Sequence, residues 1–380
     1  MPRVACDVTV IGAGPAGCLC ALFLVRSGLR VRLLACPSAR PRPAEVLAPA
    51  ALRALRSAGI ELSEFGLDAL TCNRVGSQWA SGPSYYFDYQ LYACEAALNV
   101  DRIRLDSALC GQARTAGAEV VNGTAKHVIR KVGGGWSVHA ACDSIATYWD
   151  TRFVVDATGK SAANPVAQER TYVDRLIALH SRCQVRENDG TLLLEAAPDG
   201  WWYVSNCPNG LAHVVFVTDA DVLPKSRLER AAWLQAQFRH SVFVSRSLVG
   251  TPAFARHRGC DARSSHNATF AVQGFLSVGD AAWSNDPLSG SGVLLAAEGA
   301  ARAAKAIQAS LIAHDESPLS EYAAWCRNKF TTMQTSRSAV YRQAAPGPWH
   351  SAFWARRGVG GAPRPGPMRL QSLDGPHADA

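Results

Sequence analysis

The chain has 380 residues, 48% of them hydrophobic and 18% charged, with 39 basic against 31 acidic side chains and a formal net charge of +8. That length exceeds what one hydrophobic core usually serves, so two domains are expected, and the composition excludes a disordered chain. The basic residues are dispersed with no Lys/Arg block, and no run reaches the roughly 18 apolar residues of a membrane span, which argues against nucleic-acid and membrane partners.

The amino terminus runs into an apolar segment with no signal-peptide pattern. Twelve cysteines are scattered without a Cys-x-x-Cys pair. This usage fits reduced thiols in a cytoplasmic protein and points to neither a disulfide framework nor a zinc site, so no metal is expected.

Residues 8–11 read as a strand, and Gly12-Ala13-Gly14-Pro15-Ala16-Gly17 follows it and opens a helix that ends at Gly28. A second strand at 31–34 completes a βαβ unit. Glycines at this spacing let the chain turn sharply, let a pyrophosphate approach backbone N–H groups at the helix N-terminus, and let helix pack on strand without an intervening Cβ. One usual element is missing: Ala35 stands where a carboxylate would hold ribose hydroxyls. A Pro/Arg-rich connection at 37–43 leads to Glu45 and a helix at 49–58. Residues 71–91 alternate and carry aromatic rings, as strand and loop do. Asn99-Val100-Asp101-Arg102 leads into another helix ending near Gly117. Short antiparallel strands are expected at 119–121, 127–130 and 136–140. An apolar strand at 153–155 runs into Asp156-Ala157-Thr158-Gly159 and should rejoin the first sheet.

From 166 to 258 the pattern changes to alternating strands at 191–195, 201–205 and 211–218, with Pro208-Asn209-Gly210 as a turn and a helix at 227–238 crossing them. A strand at 275–278 delivers Gly279-Asp280 to a crevice. Asp286-Pro287-x-x-Gly290-x-Gly292 then opens an alanine-rich helix to about 313, whose free N–H groups and positive dipole end could face a ring carbonyl. The Gly- and Pro-rich stretch from Gly358 is expected to be disordered.

These motifs, with Val100-Asp101-Arg102-x-x-Leu105-Asp106 and Gly279-Asp280-Ala281, resemble the flavoprotein monooxygenase superfamily that includes para-hydroxybenzoate hydroxylase and the flavin-dependent tryptophan halogenases. The resemblance implies an α/β fold: a Rossmann-like FAD-binding domain of the para-hydroxybenzoate hydroxylase type with an inserted, mainly antiparallel β substrate domain. The FAD-binding domain would be discontinuous, from residues 1–70, 95–165 and 260–340. The substrate domain would comprise 71–94 and 166–259, with 341–380 as a C-terminal segment. Implied cofactor-binding residues are Gly12, Gly14, Pro15, Ala16, Gly17, Glu45, Arg102, Asp280, Gly290 and Gly292. Arg102 would lie against the pyrophosphate and Asp280 against the ribityl chain.

Halogenases of the superfamily use a lysine that follows the first domain segment, and this chain has none before Lys126. They also carry a Trp-x-Trp-x-Ile-Pro signature, where this chain has Gly200-Trp201-Trp202-Tyr203-Val204-Ser205. That run, the stretch 214–221 and Trp349-His350-Ser351-x-Phe353-Trp354 resemble the flavoproteins that mature tryptophylquinone enzymes. The implied activity is FAD-dependent oxygenation of a tryptophan in a partner protein, a quinone-cofactor oxidase precursor, with Trp201, Tyr203 and His213 as substrate-side residues. NAD(P)H or an external flavin reductase would supply electrons. Two alternatives stay open: hydroxylation or halogenation of a small aromatic molecule, and a redox-inactive flavin-binding maturation partner. Period-two geometry alone would also put one of Trp201 and Trp202 inward and one outward. No catalytic acid or base is assigned; Asp286 and His213 are the titratable candidates, each with a structural role as the weightier alternative.

Overall fold

The computed structural model describes residues 6–36, 44–67, 69–79, 83–143, 145–160, 169–344 and 349–358. The connection at 37–43 and the stretch from 359 onward lie outside them.

A seven-stranded sheet carries the nucleotide half. Its parallel strands run in the spatial order Glu119–Arg130, Val31–Ala35, Cys6–Ile11, Ile145–Asp156 and Phe275–Ser277, with Ala271–Val272 antiparallel at the edge. Cys6–Ile11 is buried along its whole length, as a parallel strand covered on both faces must be. Helix Pro15–Arg26 starts with proline at its first turn, and Gly28, at φ 84°, turns the chain back after it. It packs in one core with helix Gly292–Gln308.

The segments expected as separate strands at 119–121 and 127–130 are one strand, Glu119–Arg130, with an irregularity between Ala125 and His127. Such a bulge lets a strand keep pairing while it twists, so the break in hydrophobic pattern does not end the element. Strand Ile145–Asp156 is also longer than its apolar half. Its first part pairs antiparallel with Trp136–Cys142 and its last part parallel with Cys6–Ile11.

The second half is an eight-stranded sheet built around Leu176–Val185, Leu211–Asp219, Gly200–Asn206 and Leu192–Ala197, all antiparallel neighbours. Gly210 closes the turn at φ 73°. Both sheet faces are covered. Helix Arg227–Arg239, opened by a Ser226/Glu229 capping box, packs on one of them. On the other lie Tyr341, Phe353 and Trp354. Trp201 and Trp202 therefore point to opposite faces, yet both are buried: the outward one of the pair meets Phe216, Phe238 and Phe254 instead of solvent.

A 28-residue helix, Ser317–Ala344, runs from the nucleotide half to the second sheet. Its buried residues Leu319, Tyr322, Ala323, Cys326, Phe330 and Met333 recur at three- and four-residue spacing. Near one end the Tyr322 hydroxyl donates to the Ser277 carbonyl at 2.7 Å, and near the other Tyr341 packs in the aromatic cluster of the second sheet.

Candidate active site

The turn after the first strand shows why glycine is needed at two positions and merely permitted at a third. Gly12 has φ 111°, and a Cβ there would lie 2.3 Å from the Ala157 carbonyl oxygen. A Cβ on Gly17 would lie 1.9 Å from the Gly12 carbonyl oxygen. Gly14 faces open space, with nothing within 4 Å of its Cβ position. Crowding thus fixes the turn from behind while its front stays clear. No side chain caps the helix that Gly14 opens, so its first N–H groups are available to an anion.

The second glycine cluster meets the first directly. Gly279, at φ 62°, sits so close to Ala16 that a Cβ would come within 2.6 Å of the Ala16 methyl. The turn Gly279–Ala281 is held from outside by Arg170, whose guanidinium donates to the carbonyls of Asp280 at 2.6 Å and Ala281 at 3.1 Å, and by Asn267, which donates to Ala281 at 2.8 Å. The Asp280 side chain is exposed. Gly290, at φ 56°, and Gly292 both face open space. Helix Gly292–Gln308 likewise has no side-chain cap. Asp156, buried at the end of its strand, accepts from the Thr158 N–H and hydroxyl, and burial raises its pKa against those bonds.

Glu45 and Arg102, 57 positions apart in sequence, form an ion pair at 2.7 Å. Antiparallel pairing sets Glu45 opposite Val100, and Asp101 caps the helix that Arg102 begins by accepting from Ile103 and Arg104. Asp106 takes the guanidinium Nε at 2.9 Å. Burial works against the arginine charge, but the two carboxylates outweigh it and raise its pKa. The cation is fixed and pre-oriented, as an anion-binding arginine should be.

Trp201 is fully buried. Its indole N–H donates to the Tyr341 hydroxyl at 2.9 Å, which donates to Asp286 Oδ2 at 2.8 Å, while Oδ1 accepts from Leu288 N–H. Burial raises the Asp286 pKa, with the Leu288 N–H and Arg337 opposing. Trp201 thus stands as a packed anchor under the glycine-bearing loop. Tyr203 and Ser205 follow on the same sheet face, beside Val215 and His213 of the next strand and His180 of the one after. Burial and then the Glu45 carboxylate push the Tyr203 phenol up, and Val46, next to Glu45, packs in the same cluster as Trp201 and Tyr203. Leu288 packs on the same face. The face is therefore bordered at one side by the loop of the second glycine cluster and at another by the Glu45–Arg102 pair.

His213 is 7% exposed. Its Nε2 lies 2.9 Å from His180 Nδ1 with the ring planes within 9° of parallel, and its Nδ1 is buried without a partner. No sequence pattern marks His180, Tyr341 or Arg170. All three act across elements far apart in the chain, so local spacing could not reveal them.

The residues present fit an FAD: two uncapped helix N-termini at open glycines, an arginine ordered by two carboxylates, and an exposed carboxylate on a rigid turn. Comparison with known proteins agrees. Residues 5–147 match the family described as FAD binding domain. The chain therefore carries an FAD-binding domain over residues 5–147, on a fold shared with solved flavin-dependent monooxygenases and halogenases. It is similar to the putative FAD-dependent oxidoreductase LodB of Marinomonas mediterranea, at 24% identity over 92% of this chain and 96% of that one. Among solved structures it resembles the peptidyl tryptophan dihydroxylase QhpG, essential for tryptophylquinone cofactor biogenesis, at 24% identity and TM-score 0.78 over 93% of this chain and 79% of that chain. It also resembles the flavin-dependent halogenase CmlS at 22% identity and TM-score 0.82, over 95% and 68%. At these identities the structural likeness speaks for the fold. Among the described residues no helix is long and apolar enough to cross a membrane.

Proposed function

We propose that this protein oxygenates the indole ring of a tryptophan in a partner protein, the precursor of a quinone-cofactor oxidase. The observation that carries the oxidoreductase part of the reading is the alignment with LodB, a putative FAD-dependent oxidoreductase, over 92% of this chain and 96% of that one. The fold shared with QhpG, a peptidyl tryptophan dihydroxylase, supports the same substrate class.

Bound FAD would supply the two-electron redox chemistry and oxygen activation that amino-acid side chains lack. In this reading Gly12 shapes the turn, Pro15 starts the helix, and the backbone N–H groups at Gly14, Ala16 and Gly17 would hold the pyrophosphate, with Arg102 set by Glu45 as its counter-charge. The Asp280 carboxylate would accept from ribityl hydroxyls; Gly290, whose own N–H bonds back to the Pro287 carbonyl, would turn the chain so that the first N–H groups of the helix opened by Gly292 serve the ring carbonyls. Tyr203 and His213 line the substrate side, and Trp201 supports them from below. Reducing equivalents come from NAD(P)H or an external flavin reductase.

The test is co-expression with an oxidase precursor and intact-mass measurement of the precursor. An oxygen-mass gain on a tryptophan peptide is expected only when this protein and a reductant are present; no gain under those conditions would overturn the reading. Similarity to CmlS favours one second reading, halogenation of an aromatic ring. The missing lysine before position 126 tells against it. Bromide in the same assay would show halogenation as a brominated product. A flavin that never bleaches with any reductant would indicate instead a redox-inactive maturation partner.

A further inference from the structure

The paired histidines lie on the sheet face that the glycine-bearing loop and the Glu45–Arg102 pair border, and the roles assigned above leave their contact unexplained. Strand alternation puts His213 beside Ser205 on one neighbour and opposite Arg182 on the other; His180 lies opposite Val215 and Arg258. Ring centroids are 5.0 Å apart at 9°, and the Nδ1 to Nε2 distance of 2.9 Å requires one proton shared between two nitrogens. Burial, then the neighbouring ring and the Arg182 guanidinium, hold His213 down to about 3; burial holds His180 to about 4. Both rings are therefore neutral at pH 7. A buried histidine nitrogen without a partner costs free energy unless something occupies it. His180 is half-buried.

We infer that His213 and His180 form a two-ring proton relay, which takes a proton at His213 Nδ1 from an aromatic N–H or O–H substrate, or from its oxygenated ring carbon, and releases one at His180 Nε2. This rests on the reading that the protein oxygenates an aromatic ring. The starting tautomers have protons on His213 Nε2 and His180 Nε2. A proton arriving at His213 Nδ1 makes that ring an imidazolium. Its Nε2 proton passes to His180 Nδ1, and His180 then releases its Nε2 proton to water. One proton has crossed, both rings are neutral again, and the shared hydrogen bond has reversed polarity. A proton returned inward along the same path, entering at His180 Nε2 and leaving at His213 Nδ1, resets the pair. His213 is the residue that meets substrate; His180 is a positioning residue that acts through it.

Two measurements on the full-length, flavin-loaded protein test this. Imidazole nitrogen NMR on histidine-labelled protein at pH 7 should show two neutral rings joined by an N–H···N coupling, lost in His180→Gln. An imidazolium in either ring, or no coupling, overturns the relay whatever the enzyme's substrate. In turnover, His180→Gly should lower product formation at least tenfold with flavin content unchanged, and added imidazole should restore a substantial part. Undiminished turnover in both His180→Gly and His213→Gln, or a loss in His180→Gly that imidazole does not touch, also overturns it. If the wild type gives no oxygenated product, the proposed function fails and the NMR result alone decides the relay.

Discussion

Gly17 and Gly14, three residues apart in one motif, answer to different demands. At Gly17 a methyl would collide with the Gly12 carbonyl at 1.9 Å, and backbone cannot step aside as a flexible side chain can. Gly17→Ala should destabilise the fold by about 2–4 kcal/mol in chemical denaturation, with flavin lost as well. Gly14→Ala meets nothing within 4 Å, so its stability should stay within about 0.5 kcal/mol of wild type while FAD affinity falls. Denaturation midpoint and flavin titration on the two variants separate the roles; equal effects on stability would refute the distinction. The motif was legible at this scale because each glycine's constraint comes from within a few residues or from the adjacent strand. The Glu45–Arg102 pair was legible only as two separate candidates.

The element scale is where the site is assembled. Asp101 caps the helix that carries Arg102 at its first position, so Asp101→Ala should cost about 1 kcal/mol of stability and loosen the arginine, seen as weaker FAD retention at unchanged fold. Helix Ser317–Ala344 has a larger part. Through Tyr322 it holds the strand that precedes Gly279, and through Tyr341 it links Trp201 to Asp286. Tyr341→Phe keeps the ring but strands the Trp201 N–H and one Asp286 oxygen in a buried place. The expected cost is about 1–3 kcal/mol by denaturation, with a shifted flavin spectrum because the loop before Gly290 loses its anchor. Native stability and spectrum in this variant would remove the helix from the site. The helix has a readable apolar stripe from Leu319 to Met333, but its junction with Asp286 depends on where the chain returns in space.

Across the whole molecule, the second sheet is clamped by its own C-terminal segment. Trp354 donates to the Ala197 carbonyl at 2.8 Å, and Arg356 and Arg357 pair with the buried Asp219. The sheet also gives stability a pH dependence. Unfolded histidines titrate near 6.5, while His180 and His213 in the fold do so at about 4 and 3. Below pH 6.5 the unfolded chain therefore takes up protons that the folded chain refuses, and stability falls until about pH 3. The two sites together amount to a loss on the order of a few kcal/mol. Asp156 and Asp286, whose pKa values are raised, act oppositely: they favour the fold below their folded pKa and disfavour it as pH rises. Denaturation midpoints from pH 7 to 4 should fall more steeply for wild type than for the His180→Gln/His213→Gln double variant. Parallel slopes would contradict the depressed values.

By itself the sequence determined the βαβ unit, the two glycine clusters, the antiparallel character of the second half and the FAD-binding class. Each of these is written in short-range pattern: period-two alternation, glycine spacing, strand followed by turn followed by helix. Only the tertiary structure decided that Trp201 is an enclosed anchor, that Gly279 closes on Ala16, that Glu45 orders Arg102, and that His213 has His180 as a partner. Those relations join residues 33 to more than 250 positions apart. They depend on strand register and on the path of one long helix, and a local pattern carries no information about either.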